Sequence, residues 1–222
     1  NSFADYQGFN QRNQRTNTHT CFDAAYEIDG AWRVLAGASQ AAQTNRQPLV
    51  AEADYRTRQI DLGLRRAFAS GSAVTYTVRS ADGRYLNRVL PSAALLDDAF
   101  RQTDSELKAH WAINPHSSAT LSAAHISRSH PHYAQRNYSG FNTGATLNWS
   151  LSAKSALAAG WSRELASYQT SNSNYSQTER VYLSPSWQLS PKARVRLRAE
   201  VARRDYLGAA ASASAPQRSD NM

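Results

Sequence analysis

The histidines of the central segment are the residues whose types and spacing first suggest catalysis or metal binding. Ser129-His130-Pro131-His132 brings two imidazoles close together, and His125, Ser127 and Glu164 supply the residue types of a hydrolytic triad. A His-Pro-His pair matches no established zinc-ligand spacing, and a triad is recognised by geometry that nothing in the sequence provides. We therefore expect solvated loop histidines, no enzymatic activity, no metal and no cofactor.

Basic side chains in the alternating segments form a second group of candidate functional residues, which could bind anions. Rings of basic side chains select anions in pores, so we predict a lumen-facing path for an acidic polysaccharide. Its members are Arg65, Lys108, Arg194, Arg196 and Arg198. The alternative is bracing, in which these side chains form ion pairs across neighbouring strands and bind no ligand. The carboxylates that could form these ion pairs are Asp61, Asp104, Glu106 and Glu200.

Composition narrows the classes of protein to which the chain can belong. The net charge of +8 is scattered through the sequence and includes no Lys/Arg block or repeated stacking motif, so we expect no nucleic-acid partner. Cys21 is the one cysteine and cannot form an internal disulfide. No run approaches the roughly 20 apolar residues that a spanning helix needs.

Apolar and charged residues alternate strictly along residues 193–201, where the odd positions are apolar and the even positions charged. A period of two places all the apolar side chains on one face of a strand, whereas a helix would scatter them around its axis. The same alternation recurs along the chain and predicts about ten strands in five hairpins, the least regular near residues 119–128. Tight turns are expected near residues 30, 71, 115, 153 and 191.

The predicted connections between the hairpins are long and polar. They fall at about residues 42–53, 80–100, 129–139 and 168–177. Short turns that alternate with long loops are typical of outer-membrane barrels. We therefore predict an all-β, antiparallel, up-and-down transmembrane β-barrel in the bacterial outer membrane. The longest loop contains many apolar residues, so we expect it to pack on its neighbours with a short helix near Ser92–Asp98.

Four tryptophans support the prediction of a membrane barrel. Each lies on the apolar face of its strand, within about four residues of a predicted tight turn. These are Trp32, Trp111, Trp149 and Trp187. Amphipathic indoles form girdles at the boundary between lipid and water in such barrels. The sequence predicts an interfacial aromatic girdle at the short-turn level, with outer-membrane lipid as a partner.

Three strand-end and loop segments are similar to a known family. They are Phe100-Arg101-Gln102-Thr103-Asp104, Tyr133-Ala134-Gln135-Arg136-Asn137-Tyr138-Ser139-Gly140 and Arg203-Arg204-Asp205-Tyr206-Leu207-Gly208. With them the chain resembles the EpsL-type outer-membrane proteins of exopolysaccharide operons, which are grouped with the β-barrel porins. The resemblance implies a role in exopolysaccharide biosynthesis or export, with anionic exopolysaccharide and periplasmic export proteins as partners. The alternative is a general diffusion porin or a structural outer-membrane protein without polysaccharide specificity.

Two regions are expected along the chain. Residues 1–208 would hold the strands and loops of the barrel, and residues 209–222 a disordered or truncated tail. The start lacks both an initiator methionine and a basic-then-apolar signal segment, so we expect a piece of a longer chain. Such a piece forms an incomplete barrel unless its own strands close.

Overall fold

The chain folds into one antiparallel sheet of twelve strands in the computed structural model, which describes residues 13–90, 96–170, 173–208 and 219–221. The strands are β1 Arg15–Glu27, β2 Trp32–Asn45, β3 Tyr55–Ala67, β4 Ala73–Tyr85, β5 Ala99–Asn114, β6 Ser117–Ser129, β7 Tyr138–Ser150, β8 Ser155–Thr170, β9 Ser173–Ser190, β10 Ala193–Arg196, β11 Ala199–Leu207 and β12 Ser219–Asn221. Two 3₁₀ helices, Pro48–Ala53 and Ala134–Arg136, accompany them. No helix in the described ranges is long and apolar enough to span a membrane.

Strands that follow each other in sequence are neighbours in the sheet from β1 to β9. Both β10 and β11 pair with β9, and β12 pairs with β11. This arrangement confirms the predicted all-β, antiparallel, up-and-down fold. Among the described strands β1 pairs only with β2, so the sheet is open as it stands.

The five predicted tight turns are confirmed. The strand predicted near residues 119–128, where the alternation is least regular, is also confirmed and is β6. Three long connections lie between hairpins, at residues 46–54, 86–98 and 130–137. The fourth predicted linker, residues 168–177, is wrong because β8 runs to Thr170 and β9 starts at Ser173. Polar residues can continue a strand because backbone hydrogen bonds alone hold the ladder, so the loss of apolar alternation does not mark the end of a strand.

The predicted uninterrupted strand over residues 193–201 is wrong at one point, since the ladder is broken at residues 197–198 between β10 and β11. Pro185 of β9 lies opposite the break, where its carbonyl accepts a hydrogen bond of 3.0 Å from the Leu197 amide. Proline has no backbone N–H to return. One ladder bond is therefore missing at the point where β10 ends.

The sheet has one apolar face and one polar face. Tyr26, Val34, Leu64, Tyr76 and Leu107 lie in register across β1 to β5 on the apolar face, and each is 38–71% exposed. The buried apolar side chains of the described residues are few: Ala73, Ile126, Tyr138 and Ala202. The strands are thus held mainly by the backbone ladder, and the apolar face is left uncovered.

Two expectations fall largely on residues that the structure does not describe. The short helix near Ser92–Asp98 includes residues 91–95 of that kind, and residues 96–98 are not helical. Of the expected tail at residues 209–222, only 219–221 are described, and they form β12 against β11. Leu86 and Val89 of the longest loop are 44% and 71% exposed.

Candidate functional site

Two of the five predicted path residues share one row of the polar face. Arg65 of β3 and Lys108 of β5 both lie in register with Thr75 of β4. Both side chains are exposed, and neither forms an ion pair or hydrogen bond with a described residue. Their charges are therefore directed to solvent, as the path prediction requires and the bracing alternative does not.

The other three basic residues lie near the opposite edge of the sheet, Arg194 and Arg196 on β10 and Arg198 in the break before β11. The Arg194 Nε donates to Gln188 Oε1 at 2.8 Å, and Arg196 has no carboxylate partner among the described residues. Strands β6 to β9 separate this group from Lys108. The open sheet does not bring the five residues together, and only closure of the wall would place both groups around one lumen.

Of the five predicted path residues, Arg198 is the one that forms an ion pair with a described carboxylate. Its Nη2 lies 2.6 Å from Glu200 Oε2, and the other carboxylate oxygen of Glu200 lies 2.7 Å from Arg180 Nε. The Arg198 guanidinium also stacks 4.3 Å from the centroid of the Tyr182 ring. That ring lies over Gly160 of β8, where a Cβ atom would collide with it.

The middle of the polar face carries carboxylates around a shallow concavity of about 260 Å³. Glu106 forms an ion pair with Arg79 across β4 and β5, with Nη2 and Oε2 at 2.6 Å. Asp104 and Glu164 line the same concavity without an ion-pair partner among the described residues. The polar face therefore changes along the strands, from unpaired basic side chains near the short turns to an acidic middle.

The four predicted girdle tryptophans all lie at the short-turn ends of their strands. Trp32 begins β2, Trp149 is one residue from the end of β7, and Trp111 and Trp187 are three residues from the ends of β5 and β9. Three of them are 45–59% exposed on the apolar face. Trp161 lies deeper, in register with Val181 of β9.

The residues considered for a hydrolytic site do not meet. His125 packs on the apolar face, edge to face with the Phe141 ring at 5.1 Å between centroids. Glu164 lines the concavity on the opposite face. The sheet therefore separates the two side chains that such a site would need together.

Two buried aspartates hold together the long loops at the ends of the strands. The sequence analysis did not predict this role. Asp54 accepts hydrogen bonds from the amide and the side chain of Asn45, both at 2.7 Å, and from the Asn87 side chain at 3.0 Å. The Leu86 amide also donates to the Asp54 carbonyl at 2.9 Å. Asp54 thus ties the loop between β2 and β3 to the loop between β4 and β5.

Asp97 joins the loop between β4 and β5 to the loop between β6 and β7. Its carboxylate accepts hydrogen bonds from the amides of His132, Tyr133 and Ala99 at 2.7, 3.1 and 3.2 Å and from His132 Nδ1 at 2.9 Å. Burial alone would raise the pKa of Asp97, but the hydrogen bonds from the His132 side chain and the three amides outweigh it and lower the pKa to about 2. The bond to Asp97 raises the pKa of His132.

His132 was expected to be a solvated loop histidine, and the structure places it beside two carboxylates. Its Nδ1 lies 3.3 Å from Asp98 Oδ1 as well as 2.9 Å from Asp97 Oδ1. The donor atoms of these three residues lie within 4.8 Å of one another, close enough for a cation. Both Asp97 oxygens already accept hydrogen bonds from the loops, which makes this cluster a structural clasp.

Comparison with known proteins identifies the kind of fold. No family model and no curated protein matches the chain. Among solved structures it is similar to the alcaligin outer-membrane receptor FauA of Bordetella pertussis, with a TM-score of 0.53 and 14% identity over 88% of this chain and 38% of the receptor. It is also similar to the siderophore receptor PirA of Acinetobacter baumannii, with a TM-score of 0.52 and 8% identity over 88% of this chain and 43% of the receptor.

The chain has the fold of a stretch of outer-membrane β-barrel wall. It spans less than half the length of either receptor. At these identities the likeness shows the fold alone. Neither receptor points to the EpsL-type family or to exopolysaccharide.

Proposed function

We propose that this chain forms part of the wall of a β-barrel in the bacterial outer membrane, with its apolar face against lipid and its polar face along a water-filled interior that favours anions. The observation that carries this is the exposed apolar face, which extends across β1 to β11 opposite a charged face. Soluble monomers rarely expose contiguous apolar patches of this size. A bilayer on one side and water on the other would satisfy both faces at once.

The preference for anions rests on the unpaired basic residues of the polar face near the short turns. Arg65, Lys108 and Arg196 have no carboxylate partner among the described residues, and Arg194 contacts only an amide oxygen. A positive lining attracts anions into a narrow aqueous passage. Exopolysaccharide as the anion comes from the resemblance to the EpsL-type family, and a general porin or a structural wall protein is the alternative.

The orientation of the two faces can be tested with neighbouring single cysteines in a Cys21→Ser background. Leu107→Cys and Lys108→Cys lie on opposite faces of β5, and both native side chains are exposed. In proteoliposomes, a bimane label at position 107 should be quenched by doxyl-labelled lipid, and the label at position 108 by aqueous iodide. Equal quenching of both labels by iodide would overturn the proposal.

The anionic path can be tested by the reversal potential of the reconstituted protein across a salt gradient in planar bilayers. Arg194→Gln with Arg196→Gln should shift the reversal potential towards cation preference. Arg58→Gln should leave it unchanged, because Arg58 lies on the apolar face in line with Ile60 and Leu62. An unchanged potential in the double variant would refute the path.

The kind of substrate is tested in the same bilayers with a polyuronate and a neutral dextran of equal length. Block by the polyuronate alone supports passage of an acidic polysaccharide. Equal conductance with either polymer supports a general diffusion porin. A folded protein that never conducts supports a structural wall.

A further inference from the structure

Arg66 is a basic residue on the apolar face, where the surrounding row is uncharged. It lies one residue before the end of β3, in register with Trp32 of β2 and Val74 of β4. Leu64 precedes it by two residues on the same face. Arg66 is exposed, and against a bilayer its charge would need a partner because the face around it is apolar.

Two aromatic rings contact the Arg66 guanidinium. Its Cζ lies 5.3 Å from the centroid of the Trp32 ring and 5.1 Å from that of the Phe68 ring, within cation–π range. No described residue accepts a hydrogen bond from it. Guanidinium has five N–H donors in a planar fork, so the rings hold the group in place while its donors remain available.

The short turns at the Arg66 end of the sheet carry few carboxylates that could compete for its donors. Asp29, the carboxylate of the adjoining turn, already accepts hydrogen bonds from the amides of Ala31 and Trp32 at 2.8 and 2.7 Å. Two other short turns at the same end of the sheet carry Lys154 and Lys192. The described short turns thus carry two lysines and one aspartate, so basic residues outnumber acidic ones in them.

We propose that Arg66, held by Trp32 and Phe68, binds the phosphodiester of a membrane phospholipid at the short-turn boundary of the apolar face. The planar fork of arginine matches two phosphate oxygens at once. The lipid chains would then lie along Leu64 and the residues above it. This inference rests on the proposed function, because it requires the apolar face to meet a bilayer.

The test is native mass spectrometry of the chain in a non-ionic detergent, titrated with phosphatidylglycerol. Arg66→Gln should raise the Kd of the tightest adduct about tenfold, because it removes a charge-assisted bidentate contact. Arg66→Lys should weaken binding less, because it keeps the charge and loses the fork. The matched control is Arg33→Gln, which lies in register with Arg65 on the polar face, is paired with Glu27 at 3.0 Å and should leave lipid binding unchanged.

Three outcomes would overturn the inference: equal lipid binding by Arg66→Gln and the wild type, equal loss in Arg33→Gln, or displacement of the lipid by inorganic phosphate at the same concentration. If Arg66→Gln does not fold, as judged by circular dichroism, the comparison of Arg66→Lys with the wild type decides, and equal affinity refutes the site. The bimane labels at positions 107 and 108 separate the two proposals. Lipid quenching at 107 with no effect at Arg66 removes this inference alone, whereas iodide quenching at both labels removes the proposed function.

Discussion

Replacing Asp97 by asparagine should release the loop between β6 and β7 from the loop between β4 and β5. The substitution keeps the shape of the side chain but removes its charge. It also turns an amide NH₂ towards backbone N–H groups that now donate to the carboxylate. Donors would then face donors in a buried position, since Asp97 is only 1% exposed.

The magnitude follows from the pKa of Asp97, which hydrogen bonding lowers from 3.8 to about 2. One pKa unit corresponds to about 1.4 kcal/mol, so the native contacts favour the ionised carboxylate by about 2 kcal/mol. Because the folded pKa lies below the unfolded one, this stability is present above about pH 4 and is lost as the pH falls through about 2.

Amide hydrogen exchange at His132 and Tyr133 is the direct assay, because both amides donate to Asp97. A loss of about 2 kcal/mol should accelerate their exchange about 30-fold in Asp97→Asn near pH 6. Asp98→Asn is the matched control, since the Asp98 carboxylate lies 3.3 Å from the His132 side chain and 3.9 Å from Arg84 and accepts no hydrogen bond from a backbone amide of the described residues. Unchanged exchange in Asp97→Asn, or equal acceleration in the control, would refute the reasoning.

Three further predictions concern Gly160, His132 and Glu200. Gly160→Val should lower the stability by about 1–3 kcal/mol in thermal unfolding, because a Cβ collides with the Tyr182 ring; Gly30→Val has open space and should cost less, and equal losses would contradict this. The His132 ring should titrate above its usual pKa of 6.5 by NMR and fall back towards it in Asp97→Asn, so its contribution to stability is full below pH 6.5 and fades as the pH rises through the folded pKa. Glu200→Gln should shift the reversal potential towards anions, because it releases two arginines from their ion pairs; a shift towards cations would exclude a polar-face lining.

Residue order alone was enough to predict the hairpins and the two faces of the sheet. In a strand, residues two positions apart lie on the same face, so the side chains of Leu62 and Leu64 must share a face. Tight turns need few residues and follow directly from the end of each alternating segment. For the same reason the positions of the tryptophans near the short turns could be predicted from spacing.

The ends of strands β8 and β9 could not be predicted, because backbone hydrogen bonds continue through polar side chains without any alternating signal. The break between β10 and β11 depends on Pro185, which lies on another strand and is opposite residue 197 only in the paired sheet. The partner of each charged residue depends on register in the same way. Arg79 of β4 pairs with Glu106 of β5, which lies 27 positions away in sequence.

The sequence by itself determined the class of fold, the alternation of the faces and the level of the tryptophans, because these properties depend on residues near each other in the chain. The tertiary structure alone decided that Asp54 and Asp97 clasp three loops and that Arg66 lies between two aromatic rings. Those contacts join residues from different hairpins, and for Asp97 and His132 the separation is 35 positions. No local pattern records such a distance, since it is set by the register of strands that pair only when the whole sheet has formed.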